Sequence, residues 1–404
     1  MYQQLCLQWI AAENINSVLN PPIMKLAIIS GTTAPGGGPR HIYSLLENLD
    51  RNEWDVVVCT HQDGSYWDKF VALEITPYDL VLRRISIPTF FKLLKVLRKE
   101  KPDLIHTHGK GPGLYGRLIG RLLGIPVIHT FHGFQYKFLP IMIKIFYLII
   151  ENFLTLLTRH HIFVGHGEKG KAGALKFLND SNSSVINNGI DLDCIQSLAQ
   201  AAEAFAALGL RDSKEIKIFA TLSRLSPEKG LMTLLKGFFE AKKIVPNIRL
   251  IIIGDCPDEH EKYIKKIKQF MEFNRLNEWV KILGPREDAL ELLKCIDFYI
   301  SPSQSEGLPY NLLEALALRI PVIATDIPGN NDIVRKPVEG ILIPVNSAKS
   351  LAHGILNMLE LGAEEQQAMA QNGIARIRDQ FSLKTMTEKT FSLYEKVLDE
   401  SRAC

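Results

Sequence analysis

Short runs of apolar residues alternate along most of the chain with longer segments in which apolar residues recur at helical spacing. The first run is apolar at every position, and the runs together occupy residues 26–29, 54–60, 80–87, 103–109, 125–133, 162–164, 216–222, 249–254, 280–283, 298–301 and 322–325. Runs without a polar face are typical of parallel strands that helices cover on both sides. Helical spacing follows many of them, as at residues 90–101, and residues 347–400 contain three helical segments in succession. The pattern predicts an α/β protein with doubly wound parallel sheets.

The length of the chain and one change in composition indicate two domains. The 404 residues suffice for two hydrophobic cores. Residues 192–213 are rich in alanine and carry little core pattern beyond one short helix, so we place the boundary there. The predicted domains span residues 24–195 and 214–381, and a last helix occupies residues 382–404. Residues 1–23 precede the first strand without a motif, and we interpret them as an appendage.

Net charge and cysteine usage narrow the functional classes. The formal net charge is +3, too small to indicate a nucleic-acid partner. It divides into +4 for residues 1–200 and −1 for the remainder, so the first half suits an anionic membrane surface to a modest degree. The six cysteines include no Cys-x-x-Cys pair, which argues against a zinc site and a disulfide framework. No signal peptide is recognisable, and a cytoplasmic protein is the simplest expectation.

The most hydrophobic stretch, residues 140–159, admits two interpretations. Its length approaches that of a membrane span, but Lys144, Glu151 and Asn152 interrupt it. A largely buried helix before the next strand explains the composition without a membrane, and we favour this interpretation. The alternative is a monotopic helix that dips into the surface of a bilayer.

The stretch from Ser301 to Ala317 reads as the end of a buried strand, a loop and a helix. Pro309 suits a first helical position, because its missing amide hydrogen would have no partner there. The next amides lack partners inside the helix and favour an anion such as a phosphate; they belong to Tyr310, Asn311 and Leu312. Glu306 and Glu314 flank this site, and carboxylates accept hydrogen bonds from hydroxyl groups. A nucleotide sugar, with hydroxyls on both sides of a diphosphate, fits this arrangement.

A second glycine-rich turn lies near the amino terminus. Gly36, Gly37 and Gly38 follow the first predicted strand and open a helix that runs to about Leu49. A strand, a glycine-rich turn and a helix form a common phosphate-binding arrangement. The spacing differs from Gly-x-Gly-x-x-Gly, which argues against a nicotinamide cofactor.

Charged and imidazole side chains mark the ends of other predicted strands. His106 and His108 end one strand, and His129 and His132 end the next. Ligands bind at the carboxyl ends of strands in such sheets. Because side chains alternate between the two faces of a strand, we expect only one histidine of each pair to face the cleft and the other to be structural. In the second domain, Arg224 and Lys229 flank a turn after a strand, where they could hold a diphosphate and neutralise its charge as it leaves.

These motifs together resemble the signature of retaining glycosyltransferases of family 4, which have the GT-B fold of two Rossmann-like domains facing across a cleft. The resemblance rests on three signatures that follow one another along the chain in the order and spacing of the family. They are the first glycine-rich turn, the turn with Arg224 and Lys229, and Glu306 and Glu314 with seven residues between them. It covers nearly all of residues 24–400. Two turns depart from the family pattern, with Asn187 in place of a proline and residues 328–334 carrying Asn and Asp for the usual Gly and Glu.

The resemblance implies how the nucleotide would be held. Arg224, Lys229 and the amides after Pro309 would bind the diphosphate, and the two cations would act in place of a metal ion. Glu314 would grip the ribose diol. Pro285, in the turn 283–286, would lie beside the nucleobase.

The resemblance also implies contacts for the transferred sugar. Glu306 and the backbone of Gly307 and Leu308 would hold its hydroxyls, and His132 would contact it from the first domain. The turn at residues 36–38 would lie near the donor diphosphate and the acceptor. The last helix would cross back to the first domain. No protein nucleophile is implied, and the leaving phosphate is thought to assist the incoming acceptor.

The function implied is transfer of a hexosyl or N-acetylhexosaminyl group, with retention, from a UDP-linked donor to a glycan or polyprenyl-linked acceptor in surface polysaccharide synthesis. No cofactor and no metal are expected, since no cluster shows metal-ligand spacing. The place of action would be the cytoplasm or the inner face of the membrane. Two alternatives are a nucleotide-sugar epimerase, which needs no acceptor, and a non-catalytic subunit that binds the donor. The combination of the Arg224 turn with both glutamates favours the transferase.

Overall fold

The computed structural model describes residues 23–133, 140–211, 213, 215–256 and 260–403. The interpretation of residues 1–23 as an appendage falls, except for the last residue, outside these ranges. The described chain forms two separate sheets, each parallel throughout. The prediction of doubly wound parallel sheets is confirmed.

The first sheet contains seven strands: β1 (Met24–Ser30), β2 (Trp54–Thr60), β3 (Tyr78–Asp79), β4 (Leu104–His108), β5 (Val127–Phe131), β6 (His160–Phe163) and β7 (Ser183–Val185). Their order in space is β3-β2-β1-β4-β5-β6-β7. Ser30 pairs with His108, and His108 pairs with Thr130, so the carboxyl ends of β1, β4 and β5 lie side by side. The order reverses between β1 and β4, which is where sheets of this kind form a ligand crevice.

Helices cover both faces of the first sheet: α1 (Gly37–Glu47), α2 (Tyr66–Ala72), α3 (Ile87–Glu100), α4 (Lys110–Leu123), α5 (Ile141–Thr155) and α6 (His166–Lys171). One buried cluster joins α1 and α2 to alternate side chains of the strands. Another joins α3 and α4 to the side chains that point the other way. The strands are apolar on both faces because both faces are covered.

Two short helices, α7 (Leu192–Ser197) and α8 (Ala202–Ala206), connect the two halves of the chain. Ile195, Phe205 and Leu210 are buried in the same core as the second sheet. The alanine-rich connection is therefore packed against the second domain along much of its length.

The second sheet contains six strands: β8 (Lys217–Leu222), β9 (Ile248–Ile253), β10 (Val280–Ile282), β11 (Phe298–Ser301), β12 (Val322–Thr325) and β13 (Gly340–Ile343). They lie in the order β10-β9-β8-β11-β12-β13, so the reversal point falls between β8 and β11. The covering helices are α9 (Leu231–Ile244), α10 (Glu261–Phe273), α11 (Ala289–Leu293), α12 (Tyr310–Ala317), α13 (Asn330–Ile333), α14 (Ala348–Glu360) and α15 (Ala363–Gln380).

The last helix, α16 (Leu383–Arg402), packs against the first sheet. Met386, Tyr394 and Val397 are buried in the core that contains α1. The Tyr394 hydroxyl lies 2.6 Å from Nδ1 of His106 in β4. The chain thus returns to its first domain after completing the second.

The prediction of a strand over residues 80–87 is wrong. The strand is confined to β3, the edge of the sheet, and the following residues run as a loop. Leu80 and Leu82 have apolar side chains because they pack beneath that edge. Ser86 then caps α3 by accepting a hydrogen bond from the amide of Thr89, so this helix begins three residues earlier than its apolar spacing indicates.

The preferred interpretation of residues 140–159 as a largely buried helix is also wrong. Most apolar side chains of α5 are exposed to solvent: Ile141, Met142, Ile143, Ile145, Phe146, Ile149 and Phe153. Glu151 faces inward instead, where its two oxygens accept hydrogen bonds from the buried guanidinium of Arg117 at 3.0 and 3.3 Å. Leaving either charge unpaired would cost about 3–5 kcal/mol, so this pair fixes the outward orientation of the apolar face. Among the described residues, no helix is long and apolar enough to cross a membrane.

Candidate functional site

The candidate site lies where the reversal points of the two sheets face each other. In the second domain, the loop after β11 is buried from Ser301 through Pro309 except for a partly exposed Gln304, and it leads directly into α12. Pro309 is the residue before the first helical turn, with ψ near 121°, rather than the first helical residue itself. The turn after β8, with its short 3₁₀ segment Pro227–Lys229, lies beside this loop.

Glu306 and Lys229 come together in this site. The Lys229 ammonium lies 2.6 Å from Oε1 of Glu306, and both side chains are largely buried. A charged pair at this depth keeps its side chains in fixed positions, because either charge alone would be poorly solvated. The residue expected to hold the diphosphate and the residue expected to hold the sugar are therefore neighbours.

The first domain also reaches Glu306. Lys171, at the end of α6, donates a hydrogen bond of 2.9 Å to the backbone carbonyl of Glu306. The same ammonium pairs with the buried carboxylate of Glu168. Lys171 was not among the candidates from the sequence, because its only local signal is a carboxylate three residues earlier on a short helix.

Glu314 is buried in α12 and pairs with Arg40 of the first domain. Arg40 is the second residue after the glycine-rich turn, and its guanidinium lies 4.4 Å from the centre of the Tyr310 ring. Arg40 therefore bridges to the helix start by an ion pair and by a cation–π contact. A carboxylate has about four acceptor positions, so a paired Glu314 retains capacity for a hydroxyl group.

The loop at Gly307 and Leu308 touches the first domain directly. A side chain on Gly307 would place its first carbon 2.9 Å from the carbonyl oxygen of His132, so only glycine allows this approach. The carbonyl of Leu308 accepts a hydrogen bond of 2.8 Å from the side-chain amide of Asn188. The oxygen of that amide lies 3.1 Å from Nδ1 of His41.

The four histidines at the strand ends, of which only His132 was predicted to contact the donor, separate into two groups. His106 is held between Tyr394 and Thr130, and His129 contacts Thr107, so both lie in the core. His108 and His132 face the cleft side, with Nδ1 of the first 3.0 Å from Nε2 of the second. Burial lowers the pKa of both rings well below the usual histidine value, which keeps the rings neutral at physiological pH.

The remaining predicted residues lie around this centre. A β-carbon added to Gly37 would lie 3.7 Å from the Tyr310 ring, so this glycine faces α12. A β-carbon added to Gly38 would lie 4.0 Å from the His132 ring, so this glycine faces His132. Gly36 is the exposed residue before α1. Arg224 is 55% exposed and lies at the rim, 4.0 Å from Glu228. Pro285 is exposed. It lies in a turn whose Gly284 carbonyl accepts a hydrogen bond from the amide of Gly254.

The start of α12 differs in one detail from the sequence prediction. The amide of Leu312 donates a hydrogen bond of 3.0 Å to the side-chain oxygen of Asn311, so it is not an open donor. The amino group of the same side-chain amide donates a hydrogen bond to the carbonyl of Leu222 in β8. A short polar side chain next to a helix start competes for its amides, which leaves Tyr310 and Asn311 to supply the anion-binding amides of this predicted group.

A further contact between the domains involves the unusual turn at residues 328–334. The Asp332 carboxylate accepts a hydrogen bond of 2.9 Å from the amide of Gly167 in α6. A side chain on Gly165 would come within 2.6 Å of the same carboxylate. Asp332, which stands where the resembled family usually has another residue, therefore ties this turn to the first domain.

Known glycosyltransferases are similar to this chain in sequence. Residues 203–376 match the family profile described as Glycosyl transferases group 1, and residues 35–194 match that of Glycosyltransferase Family 4. UDP-Gal:alpha-D-GlcNAc-diphosphoundecaprenol alpha-1,3-galactosyltransferase of Escherichia coli is 27% identical over 92% of this chain and 96% of its own length. Alpha-monoglucosyldiacylglycerol synthase of Streptococcus pneumoniae is 30% identical over 79% and 75%, respectively.

Solved structures show the same architecture. The crystal structure of Anabaena Alr3699/HepE in complex with UDP and glucose has a TM-score of 0.80, with 19% identity over 92% of this chain and all of that chain. At this identity the likeness shows the fold alone. Together with the profiles and relatives, it shows that the chain belongs to the group 1 and family 4 glycosyltransferases and has their GT-B fold of two Rossmann-like domains facing across a cleft.

Proposed function

We propose that this glycosyltransferase moves a hexosyl or N-acetylhexosaminyl group from a UDP-linked donor to a glycan or lipid-linked acceptor, with retention of the donor's anomeric configuration. The observation that carries the proposal is the pairing of both glutamates with cations at the start of α12. Lys229 contacts Glu306 at 2.6 Å, and Arg40 reaches Glu314 from across the cleft. Carboxylates for hydroxyl groups and cations for phosphates thus alternate along one short surface, as a nucleotide sugar requires.

Each group has a separate task in this proposal. Glu314 binds the ribose, and Glu306 with the backbone of Gly307 and Leu308 binds the sugar. Lys229, Arg224 and the amides of Tyr310 and Asn311 bind the diphosphate. Cations held beside a leaving phosphate stabilise the negative charge that develops in the transition state, without reorganisation at that moment. His132 approaches the sugar from the first domain, where its neutral ring can donate or accept a hydrogen bond.

The acceptor is proposed to be lipid-linked, in the synthesis of a surface polysaccharide, and the enzyme to act from the cytoplasmic side. Two supports are the names of the relatives from Escherichia coli and Streptococcus pneumoniae, which contain diphosphoundecaprenol and diacylglycerol. The third support is the outer surface of α3, α4 and α5. This surface combines exposed apolar side chains, including Phe91, Leu122 and Phe146, with exposed cations, including Lys95 and Arg121.

The composition of this surface suits an anionic bilayer. An amphipathic segment at a bilayer surface buries its apolar side chains among the acyl chains and keeps its cations at the headgroups. The only acidic residues of the three helices are Glu100, which pairs with Lys25, and Glu151, which is buried against Arg117. We therefore assign a lipid surface, rather than a second protein chain, to this face.

Replacing Phe146 and Ile149 by serine should weaken binding to anionic vesicles at least about tenfold, since each large apolar side chain contributes about 2 kcal/mol when fully buried. The measurement is co-sedimentation with vesicles of neutral lipid and of neutral lipid mixed with phosphatidylglycerol. Phe273→Ser is the matched control, because Phe273 is 89% exposed on the other domain. Equal binding by all three proteins would contradict the assignment, and so would concentration-dependent dimerisation that the double variant abolishes.

The transfer itself is tested with radiolabelled UDP-sugars and polyprenyl-diphosphate-linked saccharides. Labelled lipid product supports a transferase, and its anomeric configuration, determined by nuclear magnetic resonance, tests retention. Isomerisation of the donor without an acceptor would support an epimerase instead. Binding of UDP-sugars by calorimetry without either reaction would leave the non-catalytic subunit.

A further inference from the structure

Three histidines that are distant in sequence converge beside the cleft. His41 lies in α1, His108 ends β4, and His132 follows β5. Each ring offers one nitrogen as a ligand atom, and these three nitrogens all lie within 4.8 Å of one another. Their ring centres are 4.9 to 5.6 Å apart. Three imidazoles are a common ligand set for zinc.

The neighbours of His41 determine which of its nitrogens carries the proton. The carbonyl of Leu308 can only accept a hydrogen bond, so the Asn188 side chain must direct its amino group toward Leu308. Its oxygen then faces Nδ1 of His41, which must be the protonated nitrogen of the neutral ring. Nε2 of His41 is left with a bare lone pair, and it is buried without a hydrogen-bond partner among the described residues.

His108 presents a second unpartnered nitrogen. Its Nδ1 shares a hydrogen bond with Nε2 of His132, and its own Nε2 is buried without a partner in the described part of the chain. His41 and His108 are both more than nine-tenths buried. Buried polar atoms normally have partners, so two unpartnered nitrogens in one cluster point to a ligand.

Asn188 orients His41 for metal binding. Its side-chain oxygen lies 3.1 Å from the protonated Nδ1 of that ring, which leaves Nε2 as the ligand atom. A hydrogen bond to the second ring nitrogen is the usual arrangement around a metal-bound histidine.

We propose that His41, His108 and His132 form a binding site for a divalent transition-metal ion of the zinc type. Nitrogens at about 2.0–2.1 Å from a tetrahedral ion are about 3.4 Å apart. The three nitrogens, which now lie within 4.8 Å of one another, would therefore each move inward by about an ångström. Asn188 links the His41 ring to the carbonyl of Leu308, and the carbonyl of His132 approaches Gly307, so the cluster lies beside the loop assigned to the sugar. Resting on the proposed function, the ion acts as an inhibitor that holds His132 away from the donor sugar.

Cobalt titration of the full-length protein tests the site without any need for activity. Tetrahedral cobalt bound by three imidazoles gives strong visible absorption, and zinc should displace it at one ion per chain. His41→Leu should abolish this spectrum, because it removes the bare nitrogen and retains a side chain that packs. His353→Gln, an exposed histidine on α14, should leave it unchanged. Absence of the spectrum in the wild-type protein, or its persistence in His41→Leu, would overturn the proposal.

A second variant covers the case in which His41→Leu fails to fold. His108→Gln should likewise lose the cobalt spectrum while retaining the thermal transition of the wild-type protein. Calorimetry then separates the metal site from the proposed function. Zinc should weaken binding of UDP-sugar and leave binding of UDP unchanged, since UDP lacks the transferred sugar that His132 would contact. Cobalt binding without any UDP-sugar binding would contradict the donor assignment alone, and equal UDP-sugar affinity with and without zinc would contradict the inhibitory role.

Discussion

Arg224→Ala should lower the rate of transfer by about 10²-fold or more and leave the thermal stability of the protein unchanged. Charged groups that stabilise a developing oxyanion typically contribute effects of this size. Arg224 is half exposed at the rim of the site, and it lies 4.0 Å from Glu228, so its removal leaves no buried charge unpaired. Surface substitutions of this kind usually change stability by less than about 0.5 kcal/mol.

Lys229→Ala should reduce transfer at least as strongly, but it needs a further control. The substitution leaves the carboxylate of Glu306 buried beside an uncharged side chain, which is destabilising. The variant Lys229→Met with Glu306→Gln removes both charges and should restore the thermal transition without restoring transfer. The test compares steady-state rates and melting temperatures of the wild-type protein, Lys229→Ala and the double variant. Near-normal turnover by Arg224→Ala and Lys229→Ala would remove both residues from the site.

Glu306→Gln and Glu314→Gln should fail in different ways. Glu314 is assigned to the ribose, which does not change in the reaction, so its replacement should raise the donor KM and weaken UDP binding. Glu306 is assigned to the transferred sugar, whose ring gains positive charge in the transition state. Its replacement should mainly lower kcat and leave UDP affinity nearly unchanged.

Calorimetry with UDP beside steady-state kinetics separates these outcomes. Loss of UDP binding in Glu306→Gln with retention in Glu314→Gln would reverse the two assignments. Because Glu314 pairs with Arg40, the double variant Arg40→Gln with Glu314→Gln closes a mutant cycle. A double variant no worse than Glu314→Gln alone would mean that Glu314 acts through Arg40. Additive losses would mean that it contacts the donor by itself.

Much of the fold and part of the candidate site were predictable because their signals are local. The strand, loop and helix around Glu306 and Glu314 lie within a few residues of one another, and so do Arg224 and Lys229. Arg40, Lys171 and Asn188 were missed because their partners lie 120 to 274 positions away in the other domain. Only the placement of one domain against the other reveals such contacts.

The orientation of α5 could not be predicted for a related reason. An apolar helix in a sequence indicates burial, and Glu151 reads as an interruption of the apolar face. In the structure Glu151 is buried, because it forms an ion pair with the buried side chain of Arg117 in α4. The partner of one carboxylate, 34 positions earlier, decides which side of the helix meets the solvent.

The contacts along residues 306–314 have a consequence for domain exchange between related enzymes. Within this short segment, the first domain contacts the carbonyls of Glu306 and Leu308, the ring of Tyr310 and the carboxylate of Glu314. A chimaera that takes only its second domain from a relative would place a foreign segment 306–314 against native first-domain partners. An exchange of the second domain of this chain therefore has to bring the matching first-domain residues with it, because these contacts need both surfaces.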